Sequence, residues 1–241
     1  MTTNIKSFCV ACLLIYASFT LATPAFIDAL TTVPFVASTP STDPDDWLLA
    51  HVDVETTGLV PGYHEIIDIG VIMTNLQGEE VDRLFMRIMP DHPERVQPGA
   101  VAVNGFSVER WQKLGFSTKE QAVIRLIQFH HRVADSRHVL FVGYNAWFDI
   151  AFLDYLFRQQ DKTWRELYHY FILDLPSMAW SLGMRDLASR DIALKLGIRP
   201  ETTDPLEHTG ITGAAINADI YRRLWQLRNQ SHDQSHQMPQ Q

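Results

Sequence analysis

Asp53-Val54-Glu55 closes an apolar run that begins at Trp47. In a strand, residues i and i+2 share a face, so both carboxylates point the same way from the strand's end. Neighbouring carboxylates repel, and desolvation deepens the cost. An oxygen-coordinated hard cation, Mg²⁺ or Mn²⁺, relieves both problems, and a pair of solvated surface acids is the plainer alternative. Thr56, Thr57 and Gly58 follow directly, two hydroxyls and a permissive glycine that let a phosphate come close. Asp149 falls in the first turn of a helix expected after the strand that ends near Tyr144. There it either stabilises the helix N-terminus or adds a third metal carboxylate, with Asn145 as an orienting group. His208, in Glu207-His208-Thr209-Gly210, has a side chain suited to general base work near neutrality. As one of 10 histidines, it reads equally as an ordinary loop residue.

These residues need a scaffold that brings them together. Trp47–Val54 reads as a strand, Ile66–Thr74 as a second strand buried on both faces, and Val81–Met89 as a third reached through Gly78. Turn residues follow, then a helix over 118–133, a strand over 138–144 and a helix over 147–159, where Phe148 and Phe152 read as core. A short strand at 171–174 precedes helices over 176–182, 189–196 and 210–227. Three antiparallel strands followed by alternating helices and strands predict an α/β fold with a mixed sheet flanked by helices.

The chain has 241 residues, 46% hydrophobic and 20% charged, enough for one domain with a sizeable core. A formal net charge of −8 disfavours extensive duplex binding through phosphate contacts, but not a small site that grips a strand end. Residues 1–22 hold both cysteines, Cys9 and Cys12, after Lys6, within an apolar run that ends in small residues. The layout is that of a secretory signal cleaved after Ala22, against an uncleaved anchor or a plain N-terminal helix. Cleavage predicts an exported, cysteine-free protein without stable membrane insertion. Residues 23–46, rich in Thr, Pro, Ser and Asp, read as a linker, residues 47–228 as the working domain, and residues 229–241 as a disordered tail.

Taken together, the motifs resemble the DEDDh 3′→5′ exonucleases, the group of the epsilon proofreading subunit, ribonuclease T and oligoribonuclease. Asp53-Val-Glu-Thr-Thr-Gly-Leu59 is similar to the first family motif and Gly143-Tyr-Asn-Ala-Trp-Phe-Asp149 to the second. Val103-Asn-Gly-Phe-Ser107, followed by Glu109-Arg-Trp111, looks like the family's linking segment, and Asp174-Leu-Pro-Ser-Met-Ala-Trp180 also has a family look. The resemblance runs over most of residues 47–228 and implies a ribonuclease H-like fold. It further implies two divalent cations, Mg²⁺ or Mn²⁺, held by Asp53, Glu55 and Asp149, with His208 deprotonating the attacking water. Thr56 and Thr57 would hold the 3′ terminus of a single strand or short oligonucleotide. Leu59 would wedge beside the last base, while Asn104 and Phe106 would hold the terminal nucleotide. Nucleoside 5′-monophosphates would be released.

The third family motif places an aspartate five residues after the histidine, and here that position is Gly213. Asn217, Asp219, Asp204 and Glu207 are the nearby polar substitutes. The gap leaves two expectations: an active exonuclease with a modified third motif, in which Gly213→Asp raises activity, or a catalytically silent relative that binds nucleotides, nucleic-acid ends or a protein.

Overall fold

The computed structural model describes residues 38–236, with side chains to residue 230. The signal or anchor expected over residues 1–22, with its two cysteines, lies outside the described residues, as does most of the expected linker. Where that linker becomes visible it is ordered: Pro44–Asp46 forms a 3-10 turn, and Trp47 Nε1 donates to Ser38 Oγ at 3.0 Å. Among the described residues, no helix is long and apolar enough to cross a membrane.

Five strands build one mixed sheet: β1 (Trp47–Thr56), β2 (Ile66–Thr74), β3 (Glu80–Arg87), β4 (His138–Gly143) and β5 (Ile172–Asp174), in the order β3-β2-β1-β4-β5. The meander β1–β2–β3 is antiparallel, and β4 and β5 add in parallel. Every residue of β2 and all but one of β1 are buried, because helices cover both faces. On one face, Leu48, Ala50, Val52 and Val54 alternate inward with Ile69, Val71 and Met73. They pack against α3 (Lys119–Ala134) and α4 (Trp147–Arg158) through Val123, Leu126, Phe152 and Leu156. On the other face, Leu49 and Val142 meet α5 (Leu175–Ser181), α6 (Ser189–Lys195) and α7 (Gly210–His236). That second face carries Asp53 and Glu55, since both alternate with the residues of the first.

Two helices stand where only turns were expected, α1 (Pro98–Asn104) and α2 (Val108–Leu114). Each is seven residues long, too short for an apolar period to show. Their ends are set locally: Pro98 opens α1, Gly105 at φ 59° closes it, and the Ser107 hydroxyl accepts from Arg110 N at the start of α2. Of the tail expected over residues 229–241, the last five residues lie outside the described residues and the rest continue a helix. The α7 backbone stays helical to His236, in a stretch with neither Pro nor Gly to stop it.

The position of α7 depends on glycine. A Cβ on Gly70 of β2 would sit 2.2 Å from the Gly210 carbonyl oxygen, and one on Gly210 would sit 2.6 Å from the Asp53 carbonyl oxygen. The first turn of α7 therefore lies directly on the backbones of β1 and β2. Gly70→Ala is expected to lift that turn and lower stability by about 1–3 kcal/mol, seen as a reduced urea midpoint at unchanged slope.

Candidate active site

The register brings acids together. Glu55 stands directly opposite Asp68, and Asp53 opposite Gly70, on the face that α7 covers. Pairing of β1 with β4 ends at His51–Val142, and beyond it the Val54 N–H donates to Asp149 Oδ1 at 3.0 Å. The turn that delivers Asp149 is held by Asp174, whose Oδ1 accepts from Ala146 N while its Oδ2 caps α5. His208 arrives on the loop before α7. Its Nδ1–H donates to the Thr202 carbonyl at 3.0 Å, and its Nε2 faces Glu55 Oε1 at 2.9 Å. Arg110 clamps that loop by donating to Pro205 O and Leu206 O as well as to Asn104 O and Gly105 O. Asp53, Glu55, Asp149 and His208 are thus gathered at one end of β1.

The electrostatics follow from burial. Asp53 is pushed well above the ordinary carboxyl range, first by burial and then by the charges of Asp149, Glu55, Glu201 and Asp68. Burial raises Asp149 to about 8 against the opposing bond from Val54 N–H, and Asp68 to about 7 against that from Gly210 N–H. His208 is raised to about 9, mainly by its hydrogen bond to Glu55. With both ring nitrogens donating, His208 is an imidazolium at neutral pH in this arrangement.

Other expected residues take different places. Phe106 is 4% exposed and packs edge-on against Trp111, whose Nε1 donates to Ile67 O; it is core rather than a base-stacking surface. Asn104 is largely buried and donates to Glu55 Oε2 and Thr56 O, and it lines the cleft beside them, where it was expected. Asn145 is exposed at φ 60° and accepts from the Trp147 indole N–H. The Thr57 hydroxyl accepts from Glu65 N and the Thr56 hydroxyl donates to Gly58 O, so both shape the loop after β1. Leu59 is 72% exposed at the rim of a cleft of about 380 Å³. Glu55, Thr56, Gln97, Ala100, Val103 and Phe148 line that cleft. The sequence reading missed the α1 contribution to this wall and the Arg110 clamp; the helix-opening Pro98 and the Gly105 stop were the available signals.

The substitutes considered for the third-motif aspartate do other work. Asn217 is buried and donates to Val52 O, Asp219 pairs with Arg222 on the surface, and Asp204 and Glu207 are exposed. Nor is Gly213 beside a vacancy: a Cβ there would lie 2.2 Å from Asp53 Oδ2. Any side chain at 213 must move the Asp53 carboxylate from the place it takes here, so Gly213→Asp adds a ligand only at the expense of that position. Among the described residues, no three His, Asp or Glu side chains already converge as an ion site. The donor set itself suits a hard cation: buried carboxylate oxygens in mutual repulsion, and Asp68 Oδ2 buried without a hydrogen-bond partner.

The RNase_T exonuclease family model matches residues 51–221, most of the chain. The chain belongs to this exonuclease family. The Escherichia coli 3′-5′ DNA exonuclease Cap18 is 26% identical over 186 residues, 76% of this chain and 94% of that protein. Among solved structures, E. coli exonuclease I with a dT13 oligonucleotide superposes with a TM-score of 0.63 at 14% identity, over 78% of this chain and 42% of that one. The chain thus spans less than half the length of exonuclease I. The nuclease domain of 3′hExo, a DEDDh family member bound to rAMP, superposes with a TM-score of 0.60 at 14% identity, over 75% and 91% of the two chains. The fold is the mixed-sheet exonuclease fold of these neighbours.

Two outcomes follow. Asp149, ordinarily near 3.8 and here near 8, contributes stability that is full below its unfolded value and lost as pH rises through 8. Asp68 acts in the same direction through about 7, and His208, raised from 6.5 to about 9, loses its contribution over that higher interval. Metal-free protein should therefore unfold at falling urea concentration from pH 4 to 9, by more than about 1 kcal/mol, and Mn²⁺ should restore most at the alkaline end. Gly213→Ala should weaken Mn²⁺ binding by displacing the Asp53 carboxylate, measured by calorimetric titration.

Proposed function

We propose that this protein removes nucleotides from the 3′ ends of single-stranded DNA or short oligonucleotides and releases nucleoside 5′-monophosphates. The observation that supports it best is the convergence of Asp53, Glu55, Asp149 and His208 at one end of β1, beside a cleft with an apolar wall. The relative that acts on DNA by its name favours DNA over RNA.

Asp53, Glu55 and Asp149 would hold the divalent ions, Mg²⁺ or Mn²⁺. Bound there, such ions would supply Lewis-acid activation of the phosphate and of the attacking water. The chain's own residues do the rest. The apolar wall of Ala100, Val103 and Phe148 receives the terminal base, and Leu59 stands where it can part that base from the next. Thr202 O fixes the proton on His208 Nδ1, which leaves Nε2 as the atom that takes a proton from water. It does so only when Glu55 turns away from it. That movement removes the main cause of the raised pKa and returns the imidazole toward its ordinary value. Cleavage of the secretory signal expected over residues 1–22 would make the protein an exported enzyme, periplasmic or secreted.

Gly213 and the closed His208–Glu55 pair favour a second reading, a silent module that binds nucleic-acid ends. Incubation with 5′-labelled single-stranded DNA and RNA in Mg²⁺, Mn²⁺ or EDTA separates the two. A metal-dependent ladder shortening from the 3′ end, reduced at least about 1,000-fold in Asp53→Asn, is expected. Tight binding of the strand without cleavage in either metal would establish the silent module.

A further inference from the structure

Glu201 is the acid that no motif singles out. It lies on the loop between α6 and α7, and the fold turns it inward. Its Oε1 accepts from the Thr212 hydroxyl at 2.6 Å and stands 3.6 Å from His208 Nδ1. Thr212 is the residue before Gly213, and Gly213 touches the Asp53 carboxylate. Glu201 therefore stands at the edge of the site, bonded to Thr212 and on the Nδ1 side of the imidazole whose Nε2 faces Glu55. Its charge acts on the Asp53 carboxyl more strongly than that of Asp68 and less than those of Asp149 and Glu55.

We propose that Glu201 supplies the fourth carboxylate of the cation site, from the loop before α7, in place of the aspartate that Gly213 replaces. The proposal rests on the metal-dependent exonuclease reading. A glutamate on a loop has the reach that a shorter acid fixed on the helix does not need. Gly213 then becomes the complementary change, because a smaller residue on α7 leaves Asp53 room beside the incoming loop. A separate observation marks this wall as built for a cation. Asp68, opposite Glu55, is 0% exposed; its Oδ1 accepts from Gly210 N and its Oδ2 has no hydrogen-bond partner. An unpartnered buried carboxylate oxygen is costly unless positive charge reaches it.

The test is Mn²⁺ titration of the full chain by calorimetry, with urea unfolding of each protein in EDTA. Glu201→Gln keeps an oxygen that accepts from Thr212 but removes the charge. It should bind Mn²⁺ at least about 10-fold more weakly, with metal-free stability unchanged or raised, because burial disfavours the charged carboxylate. Asp219→Asn removes one charge on the outer surface of α7 and should bind as wild type does. Unchanged Mn²⁺ affinity in Glu201→Gln, or lost affinity together with lost metal-free stability, would overturn the assignment. If wild type binds Mn²⁺ and cleaves while Glu201→Gln matches it in both, only Glu201's role falls. If wild type neither binds Mn²⁺ nor cleaves, the exonuclease reading falls and this assignment with it.

Discussion

Several carboxylates share one small, largely dry region where the first turn of α7 lies on β1 and β2. Like charges in low dielectric repel far more strongly than in water, and each also loses its hydration. His208 pairs with Glu55, but among the described residues no comparable cation lies beside Asp53 or Asp149. Asp53 and Asp149 therefore keep their protons to unusually high pH, and a divalent cation would relieve the same repulsion when they ionise. Structure elsewhere in the domain can be understood as holding this unfavourable arrangement in place.

The hold comes from several directions. Gly70 and Gly210 let helix and sheet backbones approach closely, which excludes water and fixes the height of α7 above Asp53. Asn104 grips Glu55 and the end of β1, while Arg110 ties the His208 loop to the end of α1. A buried pair between Lys119 and Glu65, extended to Asp91, secures the other side of the loop after β1. These contacts pre-position acids that would otherwise spread apart, and pre-positioning is most of what a site for phosphoryl transfer asks of a protein.

Much of the fold was legible in the sequence because its strands are long and apolar. β2 was bounded to the residue, and α3 needed only the Thr118 cap to place its start. The misses have physical causes. α1 and α2 are short helices whose stability comes from packing, through Trp111 and the Arg110 clamp, rather than from a periodic pattern. Phe106 looked available for a base because an aromatic beside Asn104 carries no label of its burial. Only its packing against Trp111 and Ile67 shows that it is core.

The sequence by itself determined which acids exist, their order, and that Asp53 and Glu55 share a face, because alternation along a strand is a local property. It also determined that position 213 has no side chain, and with it the question of what replaces one. The tertiary structure alone decided that Asp53 fills the space beside Gly213, that Asp68 opposes Glu55, and that Glu201 turns inward beside Thr212. Those outcomes depend on strand register, on helix height and on charges far apart in the chain. Burial and Coulomb interaction act through space, and a residue pattern records only neighbours along the chain.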